Sequence, residues 1–172
     1  MLREISLTSV PVNSQLEKHR LKVIIAVFAM ANHNFVTGAV LLADDDSNDI
    51  FFLRRAFEKA GVSSAIMDVP DGEKAIEYLG GANCYSDRTR YPLPSLLLLD
   101  LKMPKVNGFE VLEWIRTQRE LHDLKVVVLS SSGLPADMQK ARALGAHDYR
   151  VKPSDLDDMV NMIKEVAGRW LS

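Results

Sequence analysis

Only one cysteine, Cys84, occurs among the 172 residues, so no disulfide can form within the chain. That usage agrees with a reducing, cytoplasmic setting. Neither sign of charge is in surplus: 21 Lys and Arg face 23 Asp and Glu, for a formal net charge of −2. A domain that grips nucleic acid through bulk charge carries a basic excess, so no nucleic-acid partner is expected. A bilayer span needs about 20 apolar residues. The run VIIAVFAMA at 23–31 stops at nine, and no membrane association is expected. There is no internal repeat, and no His or Cys pair stands at zinc-ligand spacing. What is present is a chain 47% apolar with both charges interspersed, of a length that suits one domain with a substantial core.

The most informative stretch is LLLLDLKMPKVNG, residues 96–108. A continuous apolar run bounded by turn signals reads as a strand buried on both faces. It ends abruptly at Asp100, and Pro104 prevents a direct passage into helix. Asp100 therefore sits at the carboxyl end of a rigid strand, the edge at which open α/β sheets bind ligands.

The rest of the chain alternates around it. Residues 1–37 stand apart by composition as an N-terminal extension, and residues 38–172 form the domain. The extension mimics a secretory signal in its basic residues and Ala29-Met30-Ala31, but its length and the acids Glu4 and Glu17 oppose that reading. An extra helix, a loose tail, or a biological start at Met30 are the alternatives. Ala39 to Ala43 reads as a first strand, followed by Asp44, Asp45 and Asp46. A helix carries Ile50, Leu53, Phe57 and Ala60 on one face and stops at Gly61. Ser64 to Val69 is a second strand, and Asp71 caps a second helix that ends at Gly80 and Gly81. A long connection, GGANCYSDRTRYPLP, leads to the third strand, Ser95 to Leu99. Asn107 caps a third helix, Lys125 to Leu129 is a fourth strand ending at Ser130, and Pro135 to Leu144 is a fourth helix. His147 to Val151 is a fifth strand, and Ser154 caps a last helix with Leu156, Met159, Val160, Ile163, Val166 and Trp170 on one face.

Five strand–helix units in strict alternation predict an α/β fold with a doubly wound parallel sheet covered by helices on both faces. In such a sheet the polar strand tips, Asp44 and Asp45, Asp100, Ser130 and Lys152, converge on one edge. Each has an ordinary explanation. Acids favour a helix start, Asp100 could terminate a strand or cap a helix, Ser130 could satisfy its own backbone, and a loop lysine is usually just solvated. Taken together they suit phosphoryl chemistry. Clustered carboxylates about 4 Å apart repel by roughly 4 kcal/mol per pair at an effective dielectric of 20, so a cation is needed to offset them. Magnesium fits, because it prefers hard oxygen ligands and is commonly shared with phosphate. Asp100 would be the nucleophile, and Lys152, aimed by Pro153 through an X-Pro bond that can be cis at modest cost, would add positive charge. Tyr149 near the end of the fifth strand has a polar tip suited to swinging inward when Ser130 moves.

The pieces LLADD, LLLLDLKMPKVNG, VVVLS and AHDYRVKP, spread over the domain, resemble the receiver domain of two-component response regulators, the CheY-like (flavodoxin-like) (βα)5 fold. The resemblance implies sheet order 2-1-3-4-5 and phosphorylation of Asp100 by the phosphohistidine of a sensor histidine kinase. It implies Mg2+ bound by Asp45 directly, by Asp44 through water, by Asp100 and by the backbone carbonyl of Lys102. It makes Ser130 and Lys152 the phosphoryl-holding residues, with Ser130 and Tyr149 as the switch. The family often has Thr where Ser130 stands, and Lys102 and Ser132 occupy positions that tune phosphoryl hydrolysis. The YSDRTRYPLP connection further resembles small regulators paired with bacterial phytochrome kinases. That likeness implies a light-sensing kinase and a homodimer through the fourth helix, fifth strand and fifth helix. Output would pass to a downstream protein by protein contact, without enzymatic activity. A constitutively binding pseudo-receiver is one rival. A haloacid-dehalogenase-like phosphohydrolase is another, but it needs a second aspartate two places after the nucleophile, where this chain has Lys102.

Overall fold

The computed structural model describes residues 38–171. The N-terminal extension, residues 1–37, with its apolar run at 23–31 and the alternative start at Met30, lies outside the described residues. The elements are β1 (Ala39–Ala43), α1 (Ser47–Ala60), β2 (Ile66–Val69), α2 (Gly72–Gly80), β3 (Pro94–Leu99), α3 (Gly108–Thr117), β4 (Lys125–Ser130), α4 (Pro135–Ala143), β5 (Asp148–Val151) and α5 (Leu156–Trp170). All strand pairs are parallel, in the order β2-β1-β3-β4-β5.

Strand periodicity divides the core into two layers. Successive strand side chains point to opposite faces. Val40, Leu42, Leu96, Leu98, Val127 and Leu129 therefore face one way, against Leu53 and Phe57 of α1 and Met159, Ile163 and Val166 of α5. Leu41, Ala43, Leu97, Leu99, Val126 and Val128 face the other, against α2, α3 and Ala141 of α4. With both faces covered, the central strands have no polar side, which is why the sequence shows runs of Leu and Val rather than alternation.

The helix ends follow local chemistry. Asp71 accepts from the Lys74 N–H at 2.7 Å, and Asn107 and Glu110 form a reciprocal capping box on α3. Gly61 closes α1 in the left-handed region at φ 71°. One expected cap moves: α5 is capped by Asp155 rather than Ser154, because its carboxylate reaches the N–H groups of Asp157 and Asp158 at 3.0 and 2.9 Å. The long connection after α2 is ordered by its own contacts. A short 3-10 turn covers Asn83–Tyr85, and Tyr85 and Tyr91 pack against buried Tyr78. The Arg88 guanidinium donates to the carbonyls of Tyr78 and Leu79 at 2.8 and 2.7 Å, satisfying the carboxyl end of α2.

Candidate functional site

The site lies where the strand order reverses between β1 and β3. Ala43 is in register with Leu99, so the residues that follow, Asp44 and Asp100, emerge side by side. The backbone ladder continues one step further. The Asp100 N–H donates to the Ala43 carbonyl at 2.9 Å, and the Asp44 N–H to the Val69 carbonyl at 3.1 Å. On the other side, Ser130 pairs with Val151, and the Lys152 N–H donates to the Ser130 carbonyl at 2.9 Å. The register thus carries β1, β3, β4 and β5 to one edge.

Asp44 and Asp100 are both buried, at 4% and 5% exposure, while Asp45 is exposed. Asp44, Asp45 and Asp100 each offer a carboxylate oxygen, all within 4.8 Å of one another. Asp100 Oδ2 accepts the Lys102 N–H at 2.8 Å, which turns the loop back over the strand tip. The Lys102 side chain is exposed. Burial pushes the Asp44 carboxyl above its ordinary value, against the pull of the Lys152 ammonium and its own hydrogen bond from the Asp46 N–H.

Lys152 places its ammonium in this cluster, with its side chain only 13% exposed. Nζ lies 2.7 Å from Asp44 Oδ2, 2.6 Å from Asp49 Oδ2 and 3.4 Å from Asp100 Oδ1. Burial alone would lower its pKa, but the carboxylates outweigh that and hold it above the ordinary lysine range, so the group stays charged. No peptide bond among the described residues is cis, so Lys152 reaches the acids without the cis bond considered from sequence. The long lysine stem supplies the reach.

Asp49 went unnoticed in the sequence. An acid in the first turn of a helix is favoured by the dipole wherever it occurs, so its type and position carry no special signal. What could have pointed to it is its spacing: it stands one turn before Leu53, a position of the apolar face, and so shares that side of α1.

Ser130 is fully buried, and its Oγ accepts the Ser132 N–H at 3.2 Å. Ser132 Oγ donates to Asp137 Oδ2 at 2.5 Å, tying the β4–α4 loop to the first turn of α4. The Tyr149 ring is already buried, and its hydroxyl donates to the Ser132 carbonyl at 2.8 Å. Tyr149 and the loop after Ser130 are therefore one hydrogen-bonded unit.

The loop after Asp100 is held from outside. Lys105, in the left-handed region at φ 64°, lays its ammonium 2.6 Å from Asp71 Oδ2 and 3.3 Å from Glu73 Oε2. Gly108 opens α3 so close to the strand tip that a Cβ would lie 2.3 Å from the Asp100 carbonyl oxygen and 2.8 Å from Leu101 Cα. Only glycine fits there without moving the backbone that carries Asp100.

The donor set suits a hard divalent cation. It offers carboxylate oxygens only, from two buried acids and one solvent-facing acid, and it lacks the sulfur and imidazole donors that softer metals prefer.

Known proteins share this fold. The family model described as "Response regulator receiver domain" matches residues 40–164. The probable methanogenesis regulatory protein FilR2 of Methanothrix harundinacea is 33% identical over 136 residues, 77% of this chain and 83% of FilR2. The phosphorylated cyanobacterial phytochrome response regulator RcpA superposes with a TM-score of 0.72 at 31% identity, covering 78% of this chain and 94% of RcpA. A Mn2+-bound form of response regulator Rcp1 superposes with a TM-score of 0.70 at 28% identity, covering 78% of this chain and 95% of Rcp1.

Proposed function

This chain belongs to the response regulator receiver family and acts in two-component signalling, and on that premise we propose that Asp100 is its phosphoacceptor. The observation that carries this is the Asp100 carboxylate itself. It is buried at a strand tip, has a lysine ammonium at 3.4 Å, and shares a 4.8 Å cluster with two further acids. One Asp100 carboxylate oxygen attacks the phosphorus of a kinase phosphohistidine. The new O–P bond forms as the N–P bond breaks, and the imidazole nitrogen leaves with the bonding electron pair.

Asp44, Asp45, Asp100 and the Lys102 carbonyl would hold Mg2+, which supplies charge neutralisation for the phosphoryl oxygens. That Rcp1, a similar fold, has been solved in a Mn2+-bound form supports divalent-ion binding. Lys152 and the Ser130 hydroxyl then donate to the phosphoryl group. Ser130 moves toward it, and because the Tyr149 hydroxyl is bonded to the Ser132 carbonyl, the β4–α4 loop and Tyr149 respond together. Receiver domains of this kind are signalling proteins rather than enzymes, and the output here is a changed protein contact.

Residues 38–172 form the receiver unit, with residues 1–37 as an extension of it. The protein acts in the cytoplasm, and its phosphodonor is a sensor histidine kinase. Likeness to the cyanobacterial phytochrome response regulator RcpA supports a phytochrome-type kinase. Among the described residues no helix is long and apolar enough to cross a membrane. Exposed Leu134 and Val151, at 62% and 46%, support a homodimer through α4, β5 and α5, and the near-neutral charge supports an output without nucleic-acid contact.

Acetyl phosphate with Mg2+ should raise the intact mass by one phosphoryl group, and Asp100→Asn should abolish the gain. An unchanged wild-type mass with both acetyl phosphate and a phosphorylated kinase would refute the assignment.

A further inference from the structure

Lys152 makes its shortest contact with Asp49, an acid outside the three-carboxylate cluster. An ammonium has three N–H donors and no acceptor. Here they are directed at Asp49 at 2.6 Å, Asp44 at 2.7 Å and Asp100 at 3.4 Å, with little of the side chain left to water. To meet a phosphoryl oxygen on Asp100, the ammonium has only the donor on its longest contact to offer, while the two shorter contacts hold it on the side of Asp49 and Asp44.

The two shorter contacts differ in kind. The Asp44 carboxylate belongs to the group of acids whose oxygens lie within 4.8 Å of one another, and Asp49 does not. A cation drawing on Asp44 leaves Lys152 with Asp49 as its remaining anchor. Asp49 is fixed in the first turn of α1, a helix capped by Asp46 and packed into the core by Leu53 and Phe57. Its position is set by the helix, so it does not follow the ammonium when the lysine moves.

We propose that Asp49 is a positioning residue that holds the Lys152 ammonium back from Asp100, so that it competes with the bound phosphoryl group for the same lysine. This rests on the assignment of Asp100 as phosphoacceptor. Asp49 thereby tilts the domain toward its unphosphorylated state and shortens the life of the phosphorylated one. It touches neither the phosphoryl group nor the cation and works through Lys152 alone.

The test uses beryllofluoride, a non-covalent stand-in for the phosphoryl group, titrated with Mg2+ into the full-length protein and followed by fluorine NMR. Asp49→Asn keeps the side-chain shape and removes the charge. It should bind beryllofluoride about fivefold more tightly than wild type, the difference between a charged hydrogen bond and the neutral one that the asparagine carbonyl can still accept. Asp49→Glu, which keeps the charge, should stay near wild type. Asp46→Asn removes an equal charge three residues away, keeps the helix cap, and has no contact with Lys152 among its hydrogen bonds. It too should stay near wild type. Equal or weaker binding by Asp49→Asn would overturn the proposal, as would an equal gain in Asp46→Asn, which would mean that net charge alone sets the affinity. If wild type takes up no beryllofluoride, the phosphoacceptor assignment fails and this inference falls with it.

Discussion

Replacing Lys152 by Met tests the charge balance of the site most directly. Methionine preserves most of the stem volume, so no large cavity opens. What disappears is the ammonium 2.7 Å from Asp44, 2.6 Å from Asp49 and 3.4 Å from Asp100. Asp44 and Asp100 stay buried and now face each other without a cation. Removing one partner of a buried ion pair costs about 3–5 kcal/mol, because the other is left uncompensated. Asp44 escapes part of that penalty, since burial already pushes its carboxyl upward and it can take a proton. Asp49, at 32% side-chain exposure, escapes more through hydration. The low end, about 3 kcal/mol, is therefore expected in chelator near neutral pH. For a domain of this size that corresponds to a fall in Tm of about 10 °C.

Magnesium should then reverse much of the loss. Without the ammonium, Asp44 is free to serve the ion, and a ligand at a hundred times its Kd stabilises the folded state by about 2.7 kcal/mol. Urea unfolding of wild type and Lys152→Met, each in EDTA and in millimolar Mg2+, gives the four midpoints required. The variant should lose most in EDTA and gain more from Mg2+ than wild type does. Equal stability of the two proteins in EDTA would refute the reasoning, because the lysine would then not be balancing the acids.

Two further outcomes follow from the geometry. Gly108→Ala should lower the urea midpoint by the equivalent of about 3 kcal/mol and reduce the phosphoryl yield from acetyl phosphate, since its Cβ would press on the backbone of Asp100 and Leu101. Burial, aided by the Lys125 charge, holds the His147 pKa below its ordinary 6.5, and its Nδ1 accepts the Val126 N–H at 3.2 Å. Because the folded state resists the proton, the unfolded chain takes it up first as the pH falls. The stability His147 contributes is present above about pH 6.5 and is lost as the pH drops below that. His147→Gln should flatten the curve of Tm against pH between about 7 and 5; an unchanged slope would count against this.

The alternation of strands and helices was legible because each element carries its own period and its own punctuation. Asp71, Asn107 and Gly61 mark helix ends by local hydrogen bonding and backbone preference, so a reading of neighbours along the chain suffices. The choice of Asp155 over Ser154 at α5 turned on one residue of chain path, which side-chain preference alone does not resolve. Arg88 as the carboxyl-end cap of α2 was invisible for another reason: the long connection has to fold back by 10 residues before the guanidinium meets the Tyr78 carbonyl.

The same division runs through the site. That Asp44, Asp100 and Ser130 close strands is written in the chain, because burial forces long apolar runs and the first polar residue after each run marks the sheet edge, with Asp45 next to Asp44; Lys152 is marked instead by Pro153, which stops the short, polar β5. Which carboxylates share the lysine is written nowhere along it. Lys152 and Asp49 are 103 positions apart, and only the register of β4 with β5 and the seating of α1 on the sheet bring them to 2.6 Å. Ion pairing falls off over a few ångströms, so partner choice waits on packing that settles distances at that scale.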